Sequence, residues 1–141
     1  MSGIPVQIFA GANGIAASKI GQLIVAPYAY NDAIALTLDV AGTGYNFFKP
    51  RVGMRFVVTG ILLTADSNVT GSALIDVYEG TTETDTVIDK SILHVEILKN
   101  GARDLLGWNY LATEGKYINA KTDNDDVFVT ILGYYVPAAV E

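Results

Sequence analysis

The stretch MRFVVTGILLTA, residues 54–65, decides the fold class of this chain. Apolar residues occupy both of its alternating faces, which is typical of a central strand that is covered on both sides. Gly60 interrupts the run, and an isolated glycine inside a strand pattern indicates a β-bulge. Asp66-Ser67-Asn68 follows and has the composition of a turn. The stretch therefore predicts a central β-strand that is bulged at Gly60.

Further strand patterns lie on both sides of this segment. Residues 34–40 alternate large apolar residues with small or polar ones, as a half-buried strand does. Similar patterns cover residues 74–78, 93–97 and 127–136, and Asn100-Gly101 is a strong turn dipeptide. With the candidates in the first 31 residues included, about eight strands recur at spacings of roughly 8–12 residues, without a helical period. This pattern predicts an all-β sandwich or barrel.

The connections between these strands narrow the prediction. Residues 45–48 are interpreted as an aromatic cluster, and residues 79–85 as an exposed polar loop. Segments 79–90 and 99–115 are too long for a simple meander, and they suit a jelly roll, in which strands cross between two sheets. The fold prediction is an all-β, jelly-roll-like antiparallel β-sandwich over residues 32–141, preceded by an extended N-terminal segment.

The first 31 residues form a charge-poor N-terminal segment whose one charged side chain is Lys19. Residues 4–8 alternate as one face of a strand does, and residues 22–25 indicate a second short strand. Two interpretations stay open: a first hairpin of the sandwich, or an arm that packs on a neighbouring subunit. The predicted interface residues are Ile4, Val6, Ile8, Phe9, Tyr28 and Tyr30. Without a basic start or an unbroken apolar run, neither a secretory signal nor a membrane span is expected.

Composition excludes several classes of protein. The 141 residues include no Cys and one His, which excludes a disulfide framework, a thiolate metal site and a multi-His metal site. The formal net charge of −6 argues against a nucleic-acid partner. Half of the residues are hydrophobic and 17% are charged, so we expect an oligomer. Small-residue strand faces such as Ala33 and Ala35 permit close approach between subunits.

Few residues are candidates for chemistry. His94 and Glu96 share a strand face and could act as acid and base, or they are solvent-facing or interface residues. The four residues 123–126 could offer oxygen ligands to Ca²⁺ but lack EF-hand spacing, which leaves a solvated turn or a loose ion site at a subunit junction. No spacing pairs the remaining aspartates as a glycosidase requires. The sequence therefore predicts a non-enzymatic protein with no catalytic residues, cofactor or metal.

The aromatic residues allow two interpretations, as binding residues or as packing residues. The eight tyrosines and Trp108 could stack on sugars or on a protein partner, or they pack within the sheets. Tyr134 and Tyr135 lie on opposite faces of the last predicted strand, so we expect one of them in the core.

Residues 56–136 resemble a known family. The resemblance is carried by FVVTGILLTAD at 56–66, ALIDVYEG at 73–80, ILHVEILKN at 92–100, GKYINAKTD at 115–123 and VFVTILGYYV at 127–136. Together these are similar to small jelly-roll proteins of tailed-phage virions, which decorate or cement capsids or form spikes and fibre tips. The resemblance implies a homotrimeric structural protein without catalysis. It includes no site motif, so no functional residue is carried over, and the N-terminal segment falls outside it.

The functional prediction follows from this resemblance. We expect a viral structural protein that decorates or cements a bacteriophage capsid through self-association and its N-terminal arm. Its partners would be its own copies and the major capsid protein or other virion proteins, with no nucleic acid and no membrane. It would be made in the host cytoplasm and lie on the capsid surface of the virion. The alternative is a receptor- or carbohydrate-binding module at a spike or fibre tip, and a hydrolase is a third, weaker hypothesis.

Overall fold

The computed structural model describes residues 32–138, and every regular element in this part is a β-strand. The strands are β1 Asp32–Leu38, β2 Tyr45–Phe48, β3 Met54–Ala65, β4 Ser72–Gly80, β5 Lys90–Leu98, β6 Ala102–Leu111, β7 Tyr117–Thr122 and β8 Val127–Pro137. A helix long and apolar enough to cross a membrane is not found in residues 32–138. The strands predicted within residues 4–8 and 22–25 lie outside the described residues.

Residues 32–138 form two antiparallel four-stranded sheets, which confirms the predicted β-sandwich. One has the strand order β1-β8-β3-β6 and is called the β1 sheet here, and the other has the order β2-β7-β4-β5 and is called the β2 sheet. Every connection except that between β4 and β5 passes from one sheet to the other. The predicted crossing of strands between two sheets is therefore confirmed.

The core lies between the two sheets. Ile61 of β3 pairs with Ile131 of β8, and both are fully buried against the inward residues of the β2 sheet, such as Ile75. At one end, Phe48 and Phe56 stack with ring centroids 3.9 Å apart. Tyr135 meets Phe56 edge-on at 4.9 Å, so Tyr135 is the member of the tyrosine pair that packs on the core, as expected.

The bulge predicted at Gly60 is confirmed. The pairing of β3 with both β6 and β8 shifts in register between Val58 and Gly60. A Cβ atom at position 60 would stand 2.8 Å from Cδ2 of Leu106, so the glycine lets the neighbouring leucine lie against the strand. The bulge thus shapes the outer surface of the β1 sheet.

Residues 45–48, interpreted from the sequence as an aromatic cluster, also form a strand that the sequence analysis did not predict. These residues form β2, an edge strand that pairs with β7, and Phe47 and Phe48 are buried in the core. The strand has four residues and its pairing shifts in register between Asn46 and Phe48. A strand this short and irregular shows no alternation of apolar and polar residues, which is why its pattern was not visible.

The two predicted crossing loops are also corrected. Residues 79 and 80 belong to β4, and the following loop, 81–89, returns to β5 in the same sheet instead of crossing. The second segment, 99–115, contains the edge strand β6. Its alternation is broken by Gly107, whose φ of 82° is in the left-handed region. Trp108 is half-buried and packs against the core.

Candidate functional site

The outer face of the β1 sheet carries several residues that are exposed to solvent. Strand register aligns it in rows of four, one residue from each of β1, β8, β3 and β6. The rows are Thr37-Phe128-Thr64-Ala102, Ala35-Thr130-Leu62-Asp104 and Ala33-Leu132-Gly60-Leu106. We call these twelve residues the apolar face.

The apolar face carries one charged side chain, Asp104, although the chain as a whole has 24 charged residues (9 Lys and Arg, 15 Asp and Glu). Leu106 and Phe128 keep 63% and 41% of their surface exposed. Along the β1 edge the face is flat, because Ala33 and Ala35 have small side chains. An apolar, weakly charged sheet face of this kind marks a contact surface more often than a site of chemistry.

The outer face of the β2 sheet is different, because the 81–89 loop lies over part of it. The hydroxyl of Tyr78 donates to the backbone oxygen of Asp85 at 2.5 Å, and the amide of Asn119 donates to the backbone oxygen of Thr82 at 2.9 Å. Tyr78 is fully buried, and this burial raises its pKa to about 12. The outer face of the β2 sheet is therefore covered in part by a loop of its own chain.

Charged side chains lie on the rest of the outer face of the β2 sheet. Nδ1 of His94 lies 2.5 Å from Oδ1 of Asp76, and Lys121 stands across from Asp76 on the other side of the same row. At one end of the sheet, Lys116 donates to Asp89 at 2.8 Å, which holds the pKa of the Asp89 carboxyl below its usual value. The two outer faces of the sandwich thus have opposite character.

The alternative in which His94 and Glu96 act together as acid and base is not supported by their contacts. His94 and Glu96 both lie exposed on β5, as expected, but they have different partners. His94 contacts Asp76, whereas Glu96 accepts a hydrogen bond of 2.6 Å from the hydroxyl of Ser72. The structure therefore separates the two groups that a joint proton transfer would need together.

The acidic run at residues 123–126 forms the predicted loop, between β7 and β8. Asp123 accepts from the backbone of Leu74 at 2.7 Å, and Asp125 accepts from the backbone of Ala41 at 2.9 Å. These bonds attach neighbouring strands and loops to the turn. Within residues 32–138 we find no group of three or more His, Asp or Glu side chains placed to hold a metal ion.

Glu79 is the one fully buried acid of the described residues, and sequence reasoning missed it by placing it in an exposed loop. The carboxylate is 1% exposed. It accepts from the hydroxyl of Tyr110 at 2.6 Å and from the backbone of Thr113 at 3.1 Å. Burial, and then the hydrogen bond to Glu79, raise the pKa of Tyr110. Because Tyr110 lies on β6, Thr113 follows β6 and Glu79 lies on β4, the cluster joins the two sheets.

The predicted interface residues Ile4, Val6, Ile8, Phe9, Tyr28 and Tyr30 lie outside the described residues. Of the predicted contact features, Ala33 and Ala35 are exposed on the apolar face. The larger residues of this face were missed, since their common placement depends on the pairing of four strands that are distant in sequence.

Comparisons with known proteins add little to this picture. No protein-family model matches the sequence, and no curated protein matches it. A chain in the solved cyanophage Pam1 capsid asymmetric unit is similar with a TM-score of 0.37 and 16% identity, over 76% of this chain and 82% of that chain. A TM-score at this level establishes neither a shared fold nor a shared function. The all-β architecture itself is compatible with a phage structural protein.

Proposed function

We propose that this chain is a non-enzymatic structural protein of a tailed-phage virion. It decorates or cements the capsid by associating with its own copies, as a trimer, and by placing its N-terminal segment on neighbouring subunits. The observation that carries this proposal is the apolar face, which is exposed, nearly free of charge and formed by four strands aligned in register.

The central strand supports self-association. Its sequence is apolar on both faces, which is the pattern of a strand that is covered on both sides. The β2 sheet covers the inner side of β3, where Ile61 and Leu63 are buried. On the outer side Leu62 is half-buried and its neighbour Leu106 is mostly exposed. A second subunit on the apolar face would supply the cover that the sequence pattern indicates.

The strand order supports the jelly-roll assignment. Two four-stranded sheets in the orders β1-β8-β3-β6 and β2-β7-β4-β5, with all but one connection crossing between them, match an eight-stranded double-sheet jelly roll. This is the fold implied by the resemblance to phage decoration and cement proteins. The polar clusters support a structural role as well, since Glu79, Asp123 and Asp125 each hold loops or sheets together.

Deleting residues 1–20 tests the proposal. We expect the truncated chain to stay folded, with a melting temperature close to that of the full chain, and to lose attachment to capsids in a co-sedimentation assay. The full chain at the same concentration is the control. A truncated chain that still attaches at full strength would contradict an assembly role for this segment, and one that is unfolded would make the segment an integral strand.

A receptor- or carbohydrate-binding role is the second candidate, and one observation favours it. A surface groove of about 350 Å³ on the β2 sheet is lined by Leu74, Asp76, His94, Lys121 and Asp123, among others. Carboxylates beside a cation suit the hydroxyl groups of a sugar. Binding of the chain to an immobilised glycan panel, lost in Asp76→Asn, would favour this candidate over decoration.

A further inference from the structure

The free edge of β1 is the least protected sheet edge in the described part of the chain. The edge strands of the two sheets are β1, β6, β2 and β5. β2 has a shift in register, β5 carries Lys90 and a register shift, and β6 carries Arg103 and a register shift. Charges and bulges of this kind are how proteins prevent a sheet edge from pairing with another strand.

β1 has none of these devices. It pairs with β8 in unbroken register over all seven residues, from Asp32 to Leu38. Its only charged residue is Asp32 at the first position, and it contains neither proline nor glycine. Within residues 32–138 its one strand partner is β8. A regular edge that carries a single charge at its end is a template for strand addition.

A groove lies beside this edge, between β1 and the edge strand of the opposite sheet. It measures about 530 Å³, and its lining includes residues 32–34 of β1, residues 46–48 of β2, Arg51 and Tyr135. The guanidinium of Arg51 lies 3.8 Å from the centre of the Tyr135 ring, and Lys49 also lines the groove. A strand added to β1 would direct every second side chain towards this groove.

We propose that residues 4–9 of a second copy of this chain add to the free edge of β1 as a further strand. The inference rests on the proposed function and identifies the site that receives the N-terminal segment. Ile4, Val6 and Ile8 would face the groove, and Gln7 would face outwards beside Ala33 and Ala35. In a strand, alternate residues direct their backbone hydrogen bonds to opposite sides, so pairing through residues 4, 6 and 8 leaves Pro5 on the free side, where its missing N–H costs nothing.

The length of the preceding chain allows the added strand to come from a second copy. Residues 10–31 separate the added strand from β1 and can span up to roughly 70 Å at about 3.3 Å per residue. A hairpin within one chain commonly needs a loop of only about two to five residues. The segment therefore has the reach to leave its own subunit.

The area of the apolar face leaves room for a further contact between subunits beyond that face. Four strands spaced by about 4.8 Å, each about six residues long, cover roughly 400 Å². A stable complex commonly buries about 800 Å² on each partner. An exchanged strand that continues the same sheet at its β1 edge would add backbone hydrogen bonds and the apolar contacts of the groove.

Disulfide trapping tests this proposal, because the native chain has no cysteine. Two singly substituted chains of different mass are mixed and oxidised, one carrying Gln7→Cys and the other Ala33→Cys or Ala35→Cys. Facing residues of neighbouring strands are within disulfide range. We expect a disulfide between the two chains, formed several-fold more than with the control Leu98→Cys, which places an exposed cysteine on the β5 edge of the other sheet.

Three results would overturn strand exchange. These are no disulfide at either β1 position, a yield equal to that of the Leu98→Cys control, or an intramolecular disulfide in a chain that carries both substitutions. Attachment of the unaltered chain to capsids is measured in parallel. If attachment occurs without the disulfide, strand exchange fails and the proposed function stands, whereas loss of both attachment and self-association rejects the two together.

Discussion

The hydroxyl of Tyr110 donates a hydrogen bond of 2.6 Å to the buried carboxylate of Glu79 and so connects β6 of the β1 sheet to β4 of the β2 sheet. Glu79 also accepts from the backbone of Thr113. A carboxylate at 1% exposure needs such donors, since burying it without partners is costly. The two sheets are thus joined by a polar contact as well as by apolar packing.

Removing the tyrosine hydroxyl should weaken this junction. Tyr110→Phe leaves Glu79 with fewer donors, and we expect the free energy of unfolding to fall by about 1–3 kcal/mol. Tyr117→Phe, on a half-buried tyrosine of β7, is the control. Urea unfolding at one fixed protein concentration measures both, and equal midpoints for Tyr110→Phe and the unaltered chain would show that the bond does not contribute.

Truncating a side chain at the centre of the core should lower the free energy of unfolding by more than removing the tyrosine hydroxyl does. Ile131 is fully buried and pairs with Ile34 and Ile61 on either side. Ile131→Ala should lower the free energy of unfolding by about 2–5 kcal/mol. Thr130→Ala, the next residue and on the outer face, should change it by about 0.5 kcal/mol or less. A melting temperature of Ile131→Ala within a degree or so of the unaltered chain would contradict the assignment of the inner face.

Two glycines of the β1 sheet should respond differently to a methyl group. A Cβ at Gly133 would stand 2.1 Å from the backbone oxygen of Val57 and 2.5 Å from the ring of Phe56, neither of which can move aside. Gly133→Ala should therefore destabilise the fold by about 1–3 kcal/mol or more. Gly60→Ala meets the exposed end of Leu106, which can rotate, so we expect a smaller loss. Thermal melts compare the two variants, and the reverse order would be inconsistent with the packing described.

The ion pair between Lys116 and Asp89 should contribute to stability only while the carboxylate is charged. The pair holds the pKa of Asp89 below its usual value, so its contribution is present above the ordinary carboxyl pKa and is lost as the pH falls through the lowered one. Asp89→Asn should melt below the unaltered chain at neutral pH, and the difference should shrink towards about pH 2. Glu114→Gln, an exposed carboxyl in the loop after β6, is the control. A difference that is independent of pH would rule out the ion pair as its source.

Sequence patterns predicted the fold wherever a strand is long and regular. Residues 34–40 alternate, residues 54–65 are apolar on both faces and residues 127–136 form a long apolar run, and these stretches correspond to β1, β3 and β8. The four residues of β2 are too few for a period, and Gly107 breaks the alternation of β6. The local sequence pattern indicates where strands lie, but it does not indicate which strands pair with each other.

Pairing between strands that are distant in sequence also explains which residues of the surface and of the core the sequence did not predict. The partners of Glu79 come 31 and 34 residues later in the chain, so its burial has no local signal. Ala33 and Ala35 indicated one edge of the apolar face, since small residues in a strand suggest close approach. Leu106 joins them on that face only because β6, β3, β8 and β1 align in register.

Native mass spectrometry of the full chain beside Leu106→Glu and Leu98→Glu tests the central claim most directly. Both leucines are exposed to a similar degree, at 63% and 69%, but Leu106 lies on the apolar face and Leu98 on the other sheet. At micromolar concentration we expect a trimer for the unaltered chain and for Leu98→Glu. For Leu106→Glu we expect association weakened at least about tenfold, a difference of about 1.4 kcal/mol. A monomeric unaltered chain at every micromolar concentration, or a Leu106→Glu chain that associates as strongly as the unaltered one, would contradict assembly through the apolar face.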